Sequence, residues 1–545
     1  MSLPLDGPPV SPLGQAEGTW HGSPLPRRSL LRMATAGALA VGGITALSGC
    51  SQAQGPVALP TDAAQGTPSR GGRLRIARPA NSRAETLDSA ASLSAYEYLG
   101  ALYNRLVKLD EQGQPVPDLA SDWDVTPDAK RWTFRMRDGV HFHDGRPFTA
   151  RDAAFTLAHI LDPEVGSPQA GVLSSVMSTA GISAPDPTTL VVELDSPHSD
   201  LPSLLTAYQC YIVPDGSTLE EIQYSGNGTG PFRLSSFRPG GRGTVEAYDD
   251  HFAGRPVLDG IDFFSIQDTQ ARVNALMAKQ IDLISQTNLD FATAQVVAAS
   301  SAATIARVKN GQWYTIPTLA TSKEFGDVRI RQALKLAYDP ERILNVAVQG
   351  AGTIGHDNPV VPTDAAYLES EHVRDPERAK ALLAEAGHRD GFAFELSTSS
   401  LDPVFTPMAV SFANAVRDAG FRVRVRNESA DSYYTQVWMI KPAMVTYWYT
   451  GRPVDQLLNQ IFRSGSSYNE SAWANPTFDS VLDAARAEVD ADRRNQHYRD
   501  AQELVIREGA TITPMFADRL VGLSREVLNY REHGFEFDYL QIGLR

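Results

Sequence analysis

The chain is poor in cysteine: Cys50 and Cys210 are the only two in 545 residues. A scaffold built on several disulfides is therefore excluded. Cationic charge is also in deficit, with 49 Lys and Arg against 64 Asp and Glu and a formal net charge of -15. Phosphate binding needs clustered Lys and Arg, so nucleic acid is not expected as a partner. The apolar run Met33–Leu47 falls short of the roughly 20 residues that span a bilayer. No G-x-S-x-G, H-E-x-x-H or P-loop occurs, which removes the usual motif evidence for an enzyme. What remains is 42% hydrophobic and 21% charged, the balance of a soluble globular protein. At this length two or three domains are expected.

The first fifty residues read as an address. Arg27 and Arg28 open "RRSLLR", which resembles the twin-arginine export motif, and the weakly apolar "MATAGALAVGGITAL" follows. "LSGC" then resembles the lipobox at which lipoproteins are cleaved. Residues 1–49 are expected to be a signal peptide, with Cys50 the acylated N-terminus holding the protein on the outer face of a membrane. Residues 50–72, rich in Gly, Pro, Ala and Gln, read as a disordered tether. The lone thiol left, Cys210 in "LLTAYQCYIV", reads as a small core residue.

Order is expected from "RLRIAR" at Arg73, a short alternating strand, and a helix through "SAYEYLGALYNRLVKLD". "KRWTFRMRDGVHFHDGRPF" reads as a hairpin: Trp132, Phe134 and Met136 alternate, Asp138-Gly139 turns, and Val140 and Phe142 resume. Thr149 and Asp152 form a helix-capping pattern before "AAFTLAHIL". From "DVRIRQALKLAYDPERILNVAV" onward, helical patterns alternate with the strands "AFELST" and "RVRVR", which predicts a second α/β lobe.

Two signatures invite chemical readings. His141 and His143, followed by Asp144, suggest zinc ligation and hence an exported metalloenzyme, but a pair lacks the third or fourth ligand a closed site needs. "GAGTIG", Gly350–Gly355, fits G-x-G-x-x-G, yet a helical pattern precedes it and Pro359 and Pro362 follow. A dinucleotide site requires the reverse order, strand then helix.

Longer segments carry a resemblance. The stretch "LGALYNRLVKLDEQGQPVPDLASDWDVTPDAKRWTFRMRDGVHFHDGRPFTARDAAFTL" is similar to the signature region of the family 5 solute-binding receptors of ABC importers, the peptide- and nickel-binding type. "GTGPFRL", "RVNALMAKQIDL", "DVRIRQALKLAYDPERIL" and "DPERAKALLAEAG" resemble further blocks of that family, in its order. The resemblance implies a two-lobed α/β fold of the periplasmic-binding-protein type II kind (cluster C), with a small subdomain inserted in lobe I. Lobe I would take residues 73–290, lobe II 291–511, and 512–545 would return to lobe I. A monomer without cofactor or metal would close its lobes on a peptide, or a peptide-like or opine-like solute, and dock on a membrane permease. A sensor that binds without transport is the alternative within this reading.

The match departs at one place. Peptide-binding members carry, after Gly-Trp, an Asp that pairs with the ligand's ammonium group; here that position falls at Thr450 or Gly451. Arg452 nearby suits a carboxylate or phosphate, and Asp455 is the candidate for a shifted ammonium partner. Tyr447, Trp448 and Tyr449 are the foremost pocket candidates, since aromatic faces bury ligand surface. Ser94, Tyr96 and Glu97 would border the cleft from lobe I. Trp313 and Tyr314 would stand near the lobe crossing, and Tyr468 and Asn469 are further candidates.

Overall fold

The computed structural model describes residues 63–79, 85–92, 94–110, 113–285, 288–533 and 536–545. Arg27, Arg28 and Cys50 lie outside them. Among the described residues no helix is long and apolar enough to cross a membrane.

Arg73–Arg78 is the strand its alternation predicts. Leu74 and Ile76 are buried, while Arg73 and Arg75 turn outward to Asp262 at 2.8 Å and Asp282 at 2.7 Å. It pairs in parallel with Gly260–Ser265 on one side and Leu283–Ile284 on the other, near the middle of a nine-stranded mixed sheet. Order starts before Arg73, inside the expected tether: the Ser69 amide donates to the Leu544 carbonyl at 2.8 Å and that of Gly71 to Val257 at 2.9 Å.

Two strands of this sheet are much longer than the usual five or six residues. Ala303–Pro317 has 15 residues and pairs antiparallel with Thr511–Ser524, which has 14. The ladder is broken between Val308 and Gln312. At the break Asn310 takes a left-handed backbone with φ 49°. Its amide donates to Asp518 Oδ1 at 2.8 Å, and Arg307 is ion-paired to the same carboxylate. Ahead of the break Ala303 and Ile305 pack with Ala77, Val273 and Val297; beyond it Trp313, Tyr314 and Ile316 belong to different cores. Each long strand thus has one end in each lobe. The helix Phe291–Ala298 packs on the lobe I side of that break.

The inserted subdomain is a four-stranded antiparallel sheet, ordered Ala120–Val125, Arg131–Met136, Thr189–Leu194, Met177–Asp186, with its own apolar core. The expected hairpin is not formed. Arg131–Met136 already has a ladder partner on each edge, so no edge is left for Val140–Phe142. That segment closes on itself instead, with Phe148 donating to the Val140 carbonyl at 2.9 Å. Trp132, Phe134, Met136, Val140 and Phe142 are all buried, as their alternation requires. The capping pattern also forms: Asp152 accepts the Thr149 amide at 2.7 Å and its hydroxyl at 2.9 Å, opening the helix Ala150–Leu161. The helix expected across residues 94–110 is shorter, Tyr96–Leu102, and gives way to the strand Val107–Leu109. Cys210 is a core residue, its thiol pushed up to about 12 by burial.

Lobe II contains the expected βα alternation. Phe392–Ser399 and Phe421–Glu428 pair in parallel, and the Phe405–Ala415 helix packs on them. "GAGTIG" follows the helix Pro340–Val348 and supplies the strand Gly352–Ile354, paired to Thr511–Ser524. Helix then strand is the reverse of the order that aims a helix N-terminus at a pyrophosphate.

Candidate functional site

Beyond the break, the long strand Ala303–Pro317 carries a second neighbour, Thr446–Tyr449. Register sets Trp448 opposite Trp313, Tyr447 opposite Tyr314 and Tyr449 opposite Gln312. Side chains alternate across a strand, so this ladder has two aromatic faces. On one, Tyr447 packs against Tyr314 at 5.9 Å, Phe405 at 5.8 Å and Tyr449 at 5.6 Å. Tyr314 is wholly buried and donates to Asp402 Oδ1 at 3.0 Å. Burial lifts the Asp402 carboxyl to about 6.

On the other face Trp448 is held by Glu470. The Glu470 carboxylate accepts the indole N–H of Trp448 at 3.0 Å, that of Trp438 at 2.5 Å and the Thr446 hydroxyl at 2.9 Å. Burial raises the Glu470 carboxyl to about 7 against the pull of these three donors. Tyr468, exposed at its outer edge, lies 6.1 Å from both Trp438 and Trp448, ring to ring. Arg452 stacks its guanidinium over Trp448 at 5.0 Å and donates through Nη1 to the Tyr449 carbonyl at 2.7 Å.

Lobe I supplies the facing wall. Tyr96 and Tyr208 meet edge to face at 4.9 Å, and the charge of Arg452 bears on both phenols, while Tyr449 and Tyr468 bear on Tyr96 and Tyr208 respectively. Glu97, next to Tyr96, points inward: it accepts the Ser285 hydroxyl, and burial raises its carboxyl. Ser94 contributes its carbonyl to Arg78 at 3.3 Å.

Asp455 has another setting than the one expected for an ammonium partner. It is fully buried, and its oxygens accept from Arg486 at 2.9 Å, Asn459 at 2.9 Å, Tyr498 at 3.1 Å and His198 at 3.2 Å. Burial opposes its ionisation, but the charge of Arg486 and the bond from His198 hold the carboxyl well below the usual range. His198 comes from the inserted subdomain, and next to it the Ser199 amide donates to the Arg486 carbonyl at 2.7 Å. Asp455 therefore clasps the subdomain to lobe II. Beside the clasp lies a cavity of about 660 Å³ between the two, lined by Pro197, Gln456, Arg463 and Tyr468 among others.

Three further candidates are committed to packing or loop closure. Trp313 is buried against Phe462 at 6.0 Å, Tyr314 is bonded as above, and Asn469 donates to the carbonyls of Phe462, Arg463 and Trp473. The histidine pair does not converge on a metal position. His143 Nδ1 accepts the Gly228 amide at 3.3 Å and Nε2 donates to Gly230 at 3.0 Å, so both ring nitrogens are used. His141 is exposed, and Asp144 binds Asn227 and the Arg146 amide. Among the described residues no group of three or more His, Cys, Asp or Glu could hold a metal ion. The sequence reading missed Tyr208, Trp438 and Glu470, of which only the aromatics gave any signal, as rings within the largely apolar "LLTAYQCYIV" and the aromatic-rich "SYYTQVWMI".

Two lobes joined through shared strands, with aromatic side chains and one cation meeting across the gap, define a solute-binding protein in build. Residues 114–470 match the sequence model of the bacterial extracellular solute-binding proteins, family 5 (middle region), and the chain belongs to that family. It is 25% identical over 482 residues to the dipeptide-binding protein of Escherichia coli K12, covering 79% of this chain and 86% of that one. Among solved structures, the binding protein DppA of Helicobacter pylori, in complex with the peptide STSA, superposes with a TM-score of 0.70 at 22% identity, over 87% of this chain and 98% of that one. AgaA of A. tumefaciens R10, in complex with agropinic acid, gives a TM-score of 0.70 at 23% identity, over 87% and 99%.

Proposed function

We propose that the protein is the extracytoplasmic receptor of an ABC importer, capturing a peptide, or a peptide-like or opine-like solute, between its lobes and delivering it to a permease. The observation that carries this is the facing of Tyr96 and Tyr208 in lobe I with Tyr449, Arg452 and Tyr468 in lobe II. A ligand drives closure only through contacts that differ between open and closed states, so it must touch both lobes. A micromolar ligand supplies roughly 8 kcal/mol, enough for the roughly 5.5 kcal/mol that takes a 1:99 equilibrium to 99:1. The relatives named for dipeptides and crystallised with a peptide or an opine support this solute class. Tyr447, Trp448, Tyr449, Arg452, Tyr468 and Tyr96 are the binding residues in this reading. The lobes hinge at the break of the long strands, around residues 308–312 and 517–519. The Arg27-Arg28 pair and the Cys50 lipobox support twin-arginine export and lipid anchoring, which keep the receptor beside its permease.

A metabolite and peptide screen by thermal shift, followed by X-ray scattering of the hits, tests this. A saturable rise in melting temperature with a smaller radius of gyration is expected. No stabilisation by any compound would overturn the receptor reading. Binding without any uptake defect on deletion of the protein would favour a sensor.

A further inference from the structure

Arg452 has no acid partner among the described residues; Arg331 and Lys335 have none either, but several backbone carbonyls take their N–H groups, whereas one carbonyl serves Arg452. Its guanidinium has five N–H donors. Nη1 serves the Tyr449 carbonyl at 2.7 Å, and one flat side lies over Trp448. Among the described residues no Asp or Glu pairs with it. Arg73, Arg75, Arg78, Arg307, Arg486 and Arg519 all have such a partner. Glu470, the acid that also meets Trp448, is turned to its indole N–H and occupied there. Burial pushes the Arg452 guanidinium down to about 10. A desolvated cation without a counter-charge is costly to hold.

A second observation is independent of the first. Arg452 lines a cavity of about 590 Å³ at the break of the long strand, whose walls carry Arg307, Lys309, Arg452 and Arg531 against Asp364 and Glu532. Glu532 is itself ion-paired to Arg519 and Arg307 to Asp518, which leaves Lys309, Arg452 and Arg531 against Asp364. This pocket is cationic in a chain of net charge -15. It is a local reversal of the molecule's field, and such a reversal concentrates anions.

We propose that the solute carries a free carboxylate, which Arg452 grips through its unoccupied edge on closure, and that Arg452 sets the specificity of the receptor for acids. The planar fork of a guanidinium matches a carboxylate in two parallel bonds. Arg452 offers a single planar fork at the cleft, which suits one carboxylate. The flat indole beneath and the phenols of Tyr96 and Tyr208 opposite enclose the acid from both lobes. The cost of the bare cation is then relieved only in the closed state, which ties closure to the acid. This inference rests on the receptor reading and names the solute class at its site.

The test uses a panel of dipeptides and N-carboxyalkyl amino acids, each beside its carboxamide, with neutral sugars and nickel–histidine as non-acid compounds. Titration calorimetry is run on the wild-type protein, Arg452→Gln and Arg452→Lys. Acids are expected to bind, their carboxamides at least about 30-fold more weakly, and Arg452→Gln to lose about the same factor for acids only. Arg452→Lys, which keeps the charge without the fork, falls between. Arg452→Gln without solute should melt no lower than wild type, which separates lost recognition from lost folding. Acids and carboxamides bound alike, binding indifferent to Arg452→Gln, or binding confined to non-acid compounds would overturn the proposal and leave the receptor reading standing. No binding by any compound would overturn both.

Discussion

Two arginines stand on the lobe II side of the interface and are treated in opposite ways. Arg486 meets Asp455 at 2.9 Å inside a network that also engages Asn459, Tyr498 and His198. Arg452, three residues before that same aspartate in the chain, has a carbonyl and an indole face. The first charge is balanced within the chain and holds the inserted subdomain to lobe II. The second is balanced by no acid among the described residues. A buried charge with a complete set of partners is architecture, whereas one left bare at a cleft marks where an outside group completes the set. The same contrast divides the acids: Asp455 is held ionised by Arg486, while Glu470 has donors but, among the described residues, no cation and is lifted to about 7.

The largest expected effect breaks the balanced side. Asp455→Ala leaves Arg486 buried without its carboxylate and His198 without its acceptor, and should cost about 3–5 kcal/mol in urea denaturation. A loss below about 1 kcal/mol would mean that the clasp is slack. Because the Asp455 carboxyl lies well below its ordinary value, its contribution is present at neutral pH and in mild acid. It is lost only as pH falls beneath the usual carboxylate range.

Glu470 gives the next effect, of opposite sign in pH. Its folded value of about 7 lies above the ordinary 4.5, so the folded protein holds this proton more tightly than the unfolded one. Stability from this group is full below about pH 4.5 and is lost as pH rises through 7, by on the order of 3 kcal/mol. Glu470→Gln should flatten that slope between pH 5 and 8, and an unchanged slope would refute the assignment. Near-ultraviolet circular dichroism should change in the same variant, since two indoles lose part of their anchor.

The histidines give the smallest effects. His143→Ala removes a ring bonded to the Gly228 amide and the Gly230 carbonyl, at a cost of about 1–3 kcal/mol. His141→Ala, on an exposed ring, should stay within about 0.5 kcal/mol. Equal effects from both, accompanied by loss of a stoichiometric metal, would restore the metalloenzyme reading.

Local pattern explains what the sequence made legible. "RLRIAR", the alternation of Trp132, Phe134 and Met136, the Thr149–Asp152 cap and the βα succession of lobe II each depend on neighbours within a few residues. The hairpin expectation failed because the competing ladder partner, Thr189–Leu194, lies far along the chain. Asn310-Gly311 looks like a turn and is the break in a strand shared by two lobes, pinned by Asp518 from 208 residues away. Asp455 meets His198 across 257 residues, and no local reading distinguishes that clasp from an open ligand position. Glu470 was silent because a lone acid beside Asn469 carries no pattern; its meaning comes from three donors on separate segments. Arg452 was legible as a charge out of place, whereas its want of an acid is visible only in the fold.

The most direct test of the central claim is native mass spectrometry of the protein isolated from its own host, wild type beside Arg452→Gln. The account predicts one small solute per chain on the wild type, with a free carboxylate in its released mass and fragmentation, and a largely empty variant. A solute without an acid, or one retained at equal occupancy by Arg452→Gln, would contradict it.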